Sequence, residues 1–371
     1  MEARAATLWG LNEEWKVEDV ELDDPEPDEV LVKMVAAGLC HSDEHLVTGD
    51  IPIAMPCVGG HEGAGVVEKV GSKVSSVAPG DHVVMSFIPS CGRCRWCASG
   101  RQTLCDLSQY LMTGVPISNG VARMRTKSGQ GLGPMCLVGC FATHQVMHEA
   151  SVIKIDQDLP LDKAALVSCG VATGFGSAVH TGNVQVGDAV VVVGIGGIGS
   201  NAVQGARLAG ARWIVAVDPV ESKREAAKRF GATHTAADVF SAFSLVNDLT
   251  WGQLADVAII TTDVARGDLI APTMSLVRKG GAVVVTAVAP FTQSEVNLSL
   301  FELTLWAKEL RGSLFGGGAP RVDIPRLLSY YRDGTLLLDE LITKTYSLDE
   351  INEGYADLRA GKNVRGVLVF D

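Results

Sequence analysis

The stretch Ala189-Val190-Val191-Val192-Val193-Gly194-Ile195-Gly196-Gly197-Ile198-Gly199 decides how the middle of the chain folds. Five apolar residues, four of them β-branched, read as a strand buried on both faces. The glycines that follow have the G-x-G-G-x-G spacing of a strand-to-helix turn, and a helical pattern runs on to about residue 209. Gly194 permits the tight turn, Gly196 lets the backbone approach a pyrophosphate, and Gly199 allows close helix–strand packing. Gly197 and Ile198 open the helix, whose free N–H groups and positive dipole end suit a phosphate. The next strand, Trp213–Val217, ends at Asp218, about 20 residues past the glycines, where a dinucleotide site carries its acid. A carboxylate there accepts from a ribose 2′-OH and repels a 2′-phosphate, so the expected cofactor is NAD rather than NADP. Lys223, one turn into the following helix, is placed to reach the same ribose.

Working outward, strands and helices keep alternating: a charged helix over 222–230, apolar runs at 256–260 and 282–288. That alternation predicts a doubly wound parallel sheet. Before residue 170 the texture differs. Short β-rich runs at 30–36, 65–70 and 82–86 are separated by Gly, Pro and Asp, an all-β pattern. Residues 106–140 show no clean periodicity and read as a long excursion that rejoins a strand near 141–147. After about 315 a helix near 324–333 and a last strand at 366–370 are expected. Two domains follow: residues 1–170 with 315–371, and a nucleotide-binding domain over 171–314.

Composition agrees with a globular α/β protein. Of 371 residues, 47% are hydrophobic and 20% charged, so large cores can form. The net charge of −12 is dispersed, which leaves no basic stripe for nucleic acid or an anionic membrane. No secretion signal or membrane-length apolar run is seen, and the expected location is cytoplasmic.

Nine cysteines are present. Cys91-x2-Cys94-x2-Cys97-x7-Cys105 is the most specific short signal in the chain. Four clustered thiolates suit a closed tetrahedral zinc site of structural type. The ferredoxin run would have three residues before its fourth Cys and Pro after it; here the gap is seven and Asp106 follows, so zinc is expected rather than an iron–sulfur cluster.

Three further segments hold metal-ligand types: Cys40-His41-Ser42-Asp43-Glu44-His45, Gly60-His61-Glu62-Gly63 and Ser168-Cys169-Gly170. Alone, each is weak, because a single Cys or His is more often packed than ligating. Together they offer two thiolates and an imidazole. With these motifs, Cys169-Gly-x-x-Thr173-Gly, the glycine turn with Asp218, and Asn363-Val-Arg365 near the end, the chain resembles the zinc-dependent medium-chain alcohol dehydrogenases over essentially its whole length. The resemblance implies a GroES-like β-rich catalytic domain beside a Rossmann NAD domain, and two zincs per chain. Cys40, His61 and Cys169 would bind the catalytic zinc; this Cys2His set is the one known for alcohol dehydrogenases and is taken over from them. Glu62 would sit behind the metal and Asp43 would orient His61. Ser42 would take the alcohol proton and His45 would relay it. His41 and Arg365 would contact the pyrophosphate, Thr173 would pack near the nicotinamide, and Phe87 would line the substrate pocket.

Within the family, the long segment between Cys105 and Phe141 resembles the longer alcohol and formaldehyde dehydrogenases. The glutathione-dependent formaldehyde enzyme is the rival reading, but its acids before the Gly-His-Glu motif appear here as Ile51 and Ile53, and its Tyr as His45. The chain is most similar to the NDMA-dependent, or nicotinoprotein, alcohol dehydrogenases. That implies an NAD that stays bound and is reoxidised by another carrier, with mycofactocin as the natural partner, and a homo-oligomer paired through the edge near 312–316. A non-catalytic NAD- and zinc-binding protein would be expected to lose some of Cys40, Ser42, His61, Glu62 and Cys169; all are retained.

Overall fold

The computed structural model describes residues 1–370. Two compact units separate: residues 1–169 with the stretch from Ala319 onward, and Gly170–Gly318. In the first, the chain runs β1 (Glu2–Leu8), β2 (Lys16–Leu22), β3 (Glu29–Leu39), α1 (His41–Thr48), β4 (Cys57–Val58), β5 (Ala64–Val70), β6 (His82–Met85), α2 (Arg95–Ala98), β7 (Met124–Thr126), β8 (Gly131–Pro134), β9 (His144–His148), β10 (Val152–Ile155) and α3 (Leu161–Leu166). The second unit holds α4 (Ala172–Gly176), β11 (Ala189–Val193), α5 (Gly197–Leu208), β12 (Trp213–Val217), α6 (Glu221–Phe230), β13 (His234–Ala236), α7 (Val239–Leu249), β14 (Ala255–Ile260), α8 (Ile270–Ser275), β15 (Val277–Val285), α9 (Leu300–Leu305) and β16 (Glu309–Gly312). The chain then returns to the first unit with α10 (Pro320–Arg332), β17 (Ile342–Tyr346), α11 (Ile351–Arg359) and β18 (Arg365–Val369).

In the second unit the strand order is β13-β12-β11-β14-β15-β16, all pairs parallel. This is the doubly wound arrangement, in which the order reverses beside the first strand. Every residue of β11 is buried and pairs in register with β12, Val191 opposite Val215. The glycine turn therefore leaves the sheet at its switch point, where the carboxyl ends of the strands open a crevice.

In the first unit, β1, β2, β7, β8 and β4 close a small barrel, and a seven-stranded sheet runs β10-β6-β5-β3-β18-β17 with β9 also on β3. The long strand β3 is the backbone of that sheet. It pairs antiparallel with β5, β9 and β18 along its length, and it ends at Leu39, immediately before Cys40. The segment 106–140, expected as an excursion without strands, supplies β7 and β8. Each has only three or four residues, too few for alternation to show, and each exists because a partner strand completes the barrel wall. No helix among the described residues is long and apolar enough to cross a membrane.

Candidate active site and metal centres

Residues distant in sequence gather behind β3. Cys40 is the N-cap of α1. Asp43, three residues on and fully buried, accepts the Cys40 backbone N–H at 3.2 Å through Oδ2. Its other oxygen accepts His61 Nδ1–H at 3.0 Å. One short helix start thus places both a thiol and the carboxylate that fixes the His61 ring. The path to His61 is fixed from the other side. Gly60 has φ +84°, and a Cβ there would lie 2.5 Å from the Phe141 ring. The Gly59 and Gly60 carbonyls accept the N–H groups of Phe141 and Cys140. Cys169 arrives on a π-helical turn, Val167–Val171, a distortion that often marks functional helices. The Gly63 N–H donates to Ser168 Oγ at 3.1 Å, tying the two segments together.

The ligand atoms of Cys40, His61, Glu62 and Cys169 all lie within 4.8 Å of one another, and all four residues are buried. His61 Nε2 is buried with no hydrogen-bond partner. Asp43 holds the Nδ1 proton, so the Nε2 lone pair faces the two sulfurs. An orphaned buried acceptor is costly unless something occupies the point it faces, and two soft sulfurs with an imidazole nitrogen are the donor set of zinc. The cluster fits that ion. Cys40 is held well below the ordinary thiol range by a hydrogen bond from Cys169, and Cys169 is pushed up by the same shared proton. A dication at the shared point would release that proton.

Glu62 lies on the far side of this cluster and pairs with Arg365 of β18, both essentially buried. Burial pushes the Glu62 carboxyl up to about 7 against the pull of Arg365. Gly38 of β3 leaves them room: a Cβ there would sit 2.0 Å from Glu62 Oε2. The Phe87 ring meets the His61 ring edge-on with centroids 5.6 Å apart. Ser42 Oγ stands 3.7 Å from Cys40 Sγ. His45, 5% exposed, shares its Nδ1 proton with Asp50 Oδ2 at 2.9 Å. His41 lies exposed at the start of α1. Asp50 had no signal in the sequence beyond its position.

The four clustered sulfurs of Cys91, Cys94, Cys97 and Cys105 also lie within 4.8 Å of one another. Backbone N–H groups point at them: Cys94 N to Cys91 Sγ at 3.3 Å, Cys91 N to Cys105 Sγ at 3.4 Å and Cys97 N to Cys94 Sγ at 3.5 Å. Such donors stabilise thiolates; the Cys97 N–H leads in pulling Cys94 down to about 6. With every position taken by sulfur, this centre is closed to substrate.

In the second unit, Gly194 has φ +93°, and a Cβ on Gly199 would sit 2.0 Å from the Gly194 carbonyl oxygen. The carboxylate of Asp218 accepts the Ile195 N–H at 2.8 Å and the Val220 N–H at 2.9 Å. It therefore braces the glycine turn, a role the sequence did not show. Arg224 donates to the Asp218 and Pro219 carbonyls, while Lys223 is half-buried one turn into α6. Thr173 is buried in α4, where its carbonyl accepts from Ser177.

Comparison with known proteins agrees with this geometry. Residues 26–157 match the alcohol dehydrogenase GroES-like domain and residues 197–331 the zinc-binding dehydrogenase domain. The chain is 48% identical over 371 residues to alcohol dehydrogenase B of Mycobacterium tuberculosis, covering 100% of this chain and 99% of that one. The solved benzyl alcohol dehydrogenase of Acinetobacter calcoaceticus superposes with a TM-score of 0.91 at 28% identity, covering 100% of both. The chain belongs to the zinc-dependent medium-chain alcohol dehydrogenases, NAD-linked oxidoreductases of alcohols. Within that family it is similar to the NDMA-dependent alcohol dehydrogenase of Amycolatopsis methanolica, 49% identical over 369 residues, covering 100% of this chain and 99% of that one.

Proposed function

We propose that this enzyme oxidises an alcohol at the Cys40–His61–Cys169 cluster and keeps its NAD bound between turnovers, handing the electrons to a separate carrier. The observation that carries the site assignment is the buried, unpartnered His61 Nε2 facing two thiols. Cys40, His61 and Cys169 would hold the catalytic zinc with Glu62 beside the cluster, and Cys91, Cys94, Cys97 and Cys105 would hold a second, structural one. When bound, zinc would supply a Lewis acid for the alcohol oxygen and NAD a hydride acceptor. The protein's own groups do the rest. Asp43 keeps His61 in the ligating tautomer. Ser42 takes the alcohol proton and His45 passes it on. Phe87 bounds the substrate beside His61 and keeps water away. Gly194, Gly196, Gly197, Ile198 and Gly199 receive the pyrophosphate, with His41 and Arg365 contributing charge. Asp218 and Lys223 bind the adenosine ribose, and Thr173 packs on the nicotinamide. Subunits pair through β16, an open sheet edge whose neighbours Leu300, Phe301 and Leu305 are exposed. The electron carrier is a small redox molecule such as mycofactocin.

A paired assay on the purified enzyme with a panel of primary alcohols tests this reading. One arm receives NAD and is followed by NADH absorbance; the other receives only an artificial electron acceptor. Turnover in the second arm without added NAD is expected. Turnover confined to the first would replace the bound-cofactor reading with an ordinary exchanging dehydrogenase.

Metal analysis of the same preparation should return two zincs per chain, one for each cluster. Iron in the preparation would reverse the assignment of Cys91–Cys105.

Asp218→Gly is expected to lower the preference for NAD over NADP by about 10-fold or more, because a hydrogen bond to a charged group is worth ~1.5–3 kcal/mol. The variant also loses the brace on Ile195 and Val220, so its melting temperature should fall as well. Lower stability with an unchanged cofactor preference would leave Asp218 a bracing residue only.

A further inference from the structure

Four hydroxyl groups with no place in the zinc or glycine-turn chemistry form a chain inside the second unit. Ser177 is its centre. Its Oγ donates to the Thr173 carbonyl at 2.7 Å, one helical turn back, and accepts from Thr286 Oγ at 2.8 Å. Ser313 Oγ lies between Ser177 Oγ, at 3.1 Å, and Thr181 Oγ, at 2.9 Å. Thr181 Oγ donates in turn to the Gly316 carbonyl at 3.1 Å. Each proton has an acceptor and both ends of the chain stop on backbone carbonyls, so the network is satisfied and stiff. Thr286 and Ser313 stand immediately past the carboxyl ends of β15 and β16, the side of a doubly wound sheet on which ligands bind. Ser177 follows α4, which carries Thr173, and Ser177–Thr181 is a second π-helical turn. The short helix is gripped on both sides. A Cβ on Gly174 would lie 2.1 Å from the Ile198 carbonyl oxygen at the start of α5, and one on Gly176 would lie 2.7 Å from the Gly316 carbonyl oxygen. α4 therefore spans from the glycine turn to the loop after β16, and the hydroxyl chain joins its far end to both strand ends.

We propose that Ser177 and Thr286 are positioning residues for the cofactor: the hydroxyl chain holds α4, and with it Thr173, against the ends of β15 and β16 before NAD arrives, and so slows NAD release. The inference rests on the reading that NAD stays bound and that Thr173 packs on its nicotinamide. The physical reason is preorganisation. A wall that must order on binding costs affinity, and a wall already ordered does not. β16 is the edge strand, paired within the chain on one side only, so strand pairing alone restrains its end weakly. The hydroxyls supply the missing restraint, and Arg311 Nη1 of β16 adds another by donating to the Thr181 carbonyl at 3.0 Å. Slow release keeps the nicotinamide in place while its electrons pass to the carrier. A loosened wall would let the cofactor out and turn the enzyme into an exchanging dehydrogenase.

The test follows the release of bound NAD from the parent, Ser177→Ala and Thr286→Val holoenzymes into an excess of deuterated NAD, by mass spectrometry of the filtrate. Ser177→Ala should release NAD about 10-fold faster than the parent, equivalent to about 1.4 kcal/mol. Thr286→Val, which removes one hydrogen bond, should release it several-fold faster. Added NAD should then stimulate turnover of both variants, and not of the parent, with an alcohol that the panel above shows to be a substrate. Thr286→Val keeps the shape of the side chain, so it carries the test if Ser177→Ala fails to fold. Release as slow in the variants as in the parent would overturn the proposal. A lower melting temperature in saturating NAD beside parent-like release would also overturn it, leaving the chain a packing feature. A parent whose own NAD exchanges within a turnover would overturn the bound-cofactor reading instead; a 10-fold ratio between variant and parent would still support the hold of the hydroxyl chain.

Discussion

Cys169→Ser is expected to yield an enzyme that keeps its NAD and its Cys91–Cys105 metal but turns over no alcohol. A serine hydroxyl stays protonated at neutral pH, so one of the two sulfurs facing His61 Nε2 is replaced by a weak neutral donor. Lewis-acid stabilisation is worth several kcal/mol, and each ~1.4 kcal/mol is tenfold, so kcat should fall on the order of 10³-fold or more. Zinc content is the discriminating readout. It should drop by one per chain, while the four-cysteine lobe, in the same unit as Cys169, keeps its ion and reports that this unit is still folded. NAD content should hold, because the glycine turn belongs to the other unit. Full zinc with full activity would sever the cluster from the reaction. Loss of both metals would mean that the substitution unfolds the unit rather than emptying one centre.

How far the sequence reaches toward this site depends on how local each feature is. The strand Ala189–Val193 and its glycine turn are legible because the determinants lie within a dozen residues and each has a steric reason: Gly199 has no room for a Cβ against the Gly194 carbonyl. The cysteine lobe is legible for the same reason, its backbone N–H groups reaching sulfurs three residues away. Cys40, His61 and Cys169 lie on three separate segments, and composition or periodicity could not join them. Resemblance named them, and the fold brings their side chains together. Contacts that no pattern announces stayed hidden. Asp218 carries the ribose signal, but its bonds to Ile195 and Val220 depend on where β12 ends relative to the turn. The motif points Arg365 to a pyrophosphate, whereas its bond to Glu62 exists only because β18 pairs with β3, setting Val367 opposite Gly38 and bringing the Arg365 guanidinium over the space that Gly38 leaves open. The strands β7 and β8 are barrel closures, decided by partners rather than by their own residues.

That Glu62–Arg365 pair carries the largest expected effect on stability. Arg365→Met removes the cation and leaves Glu62 fully buried. Water cannot readily replace the guanidinium, because Gly38 closes on both side chains from β3. Breaking a buried pair by removing one partner costs about 3–5 kcal/mol; here the carboxyl, already raised to about 7 beside the guanidinium, must take up a proton or stay charged without a partner. With a urea slope of roughly 1–3 kcal/mol per molar, the unfolding midpoint should fall by about 1 M or more. The variant is also expected to lose NAD contact if Arg365 touches the pyrophosphate, so stability and cofactor binding must be separated. Glu62→Gln in the Arg365→Met background separates them. A neutral amide needs neither a proton nor a partner charge, so the double variant should recover most of the lost stability, while any lost NAD affinity stays lost. A double variant as unstable as Arg365→Met alone would show that the arginine holds β18 by packing rather than by balancing charge beside the metal cluster.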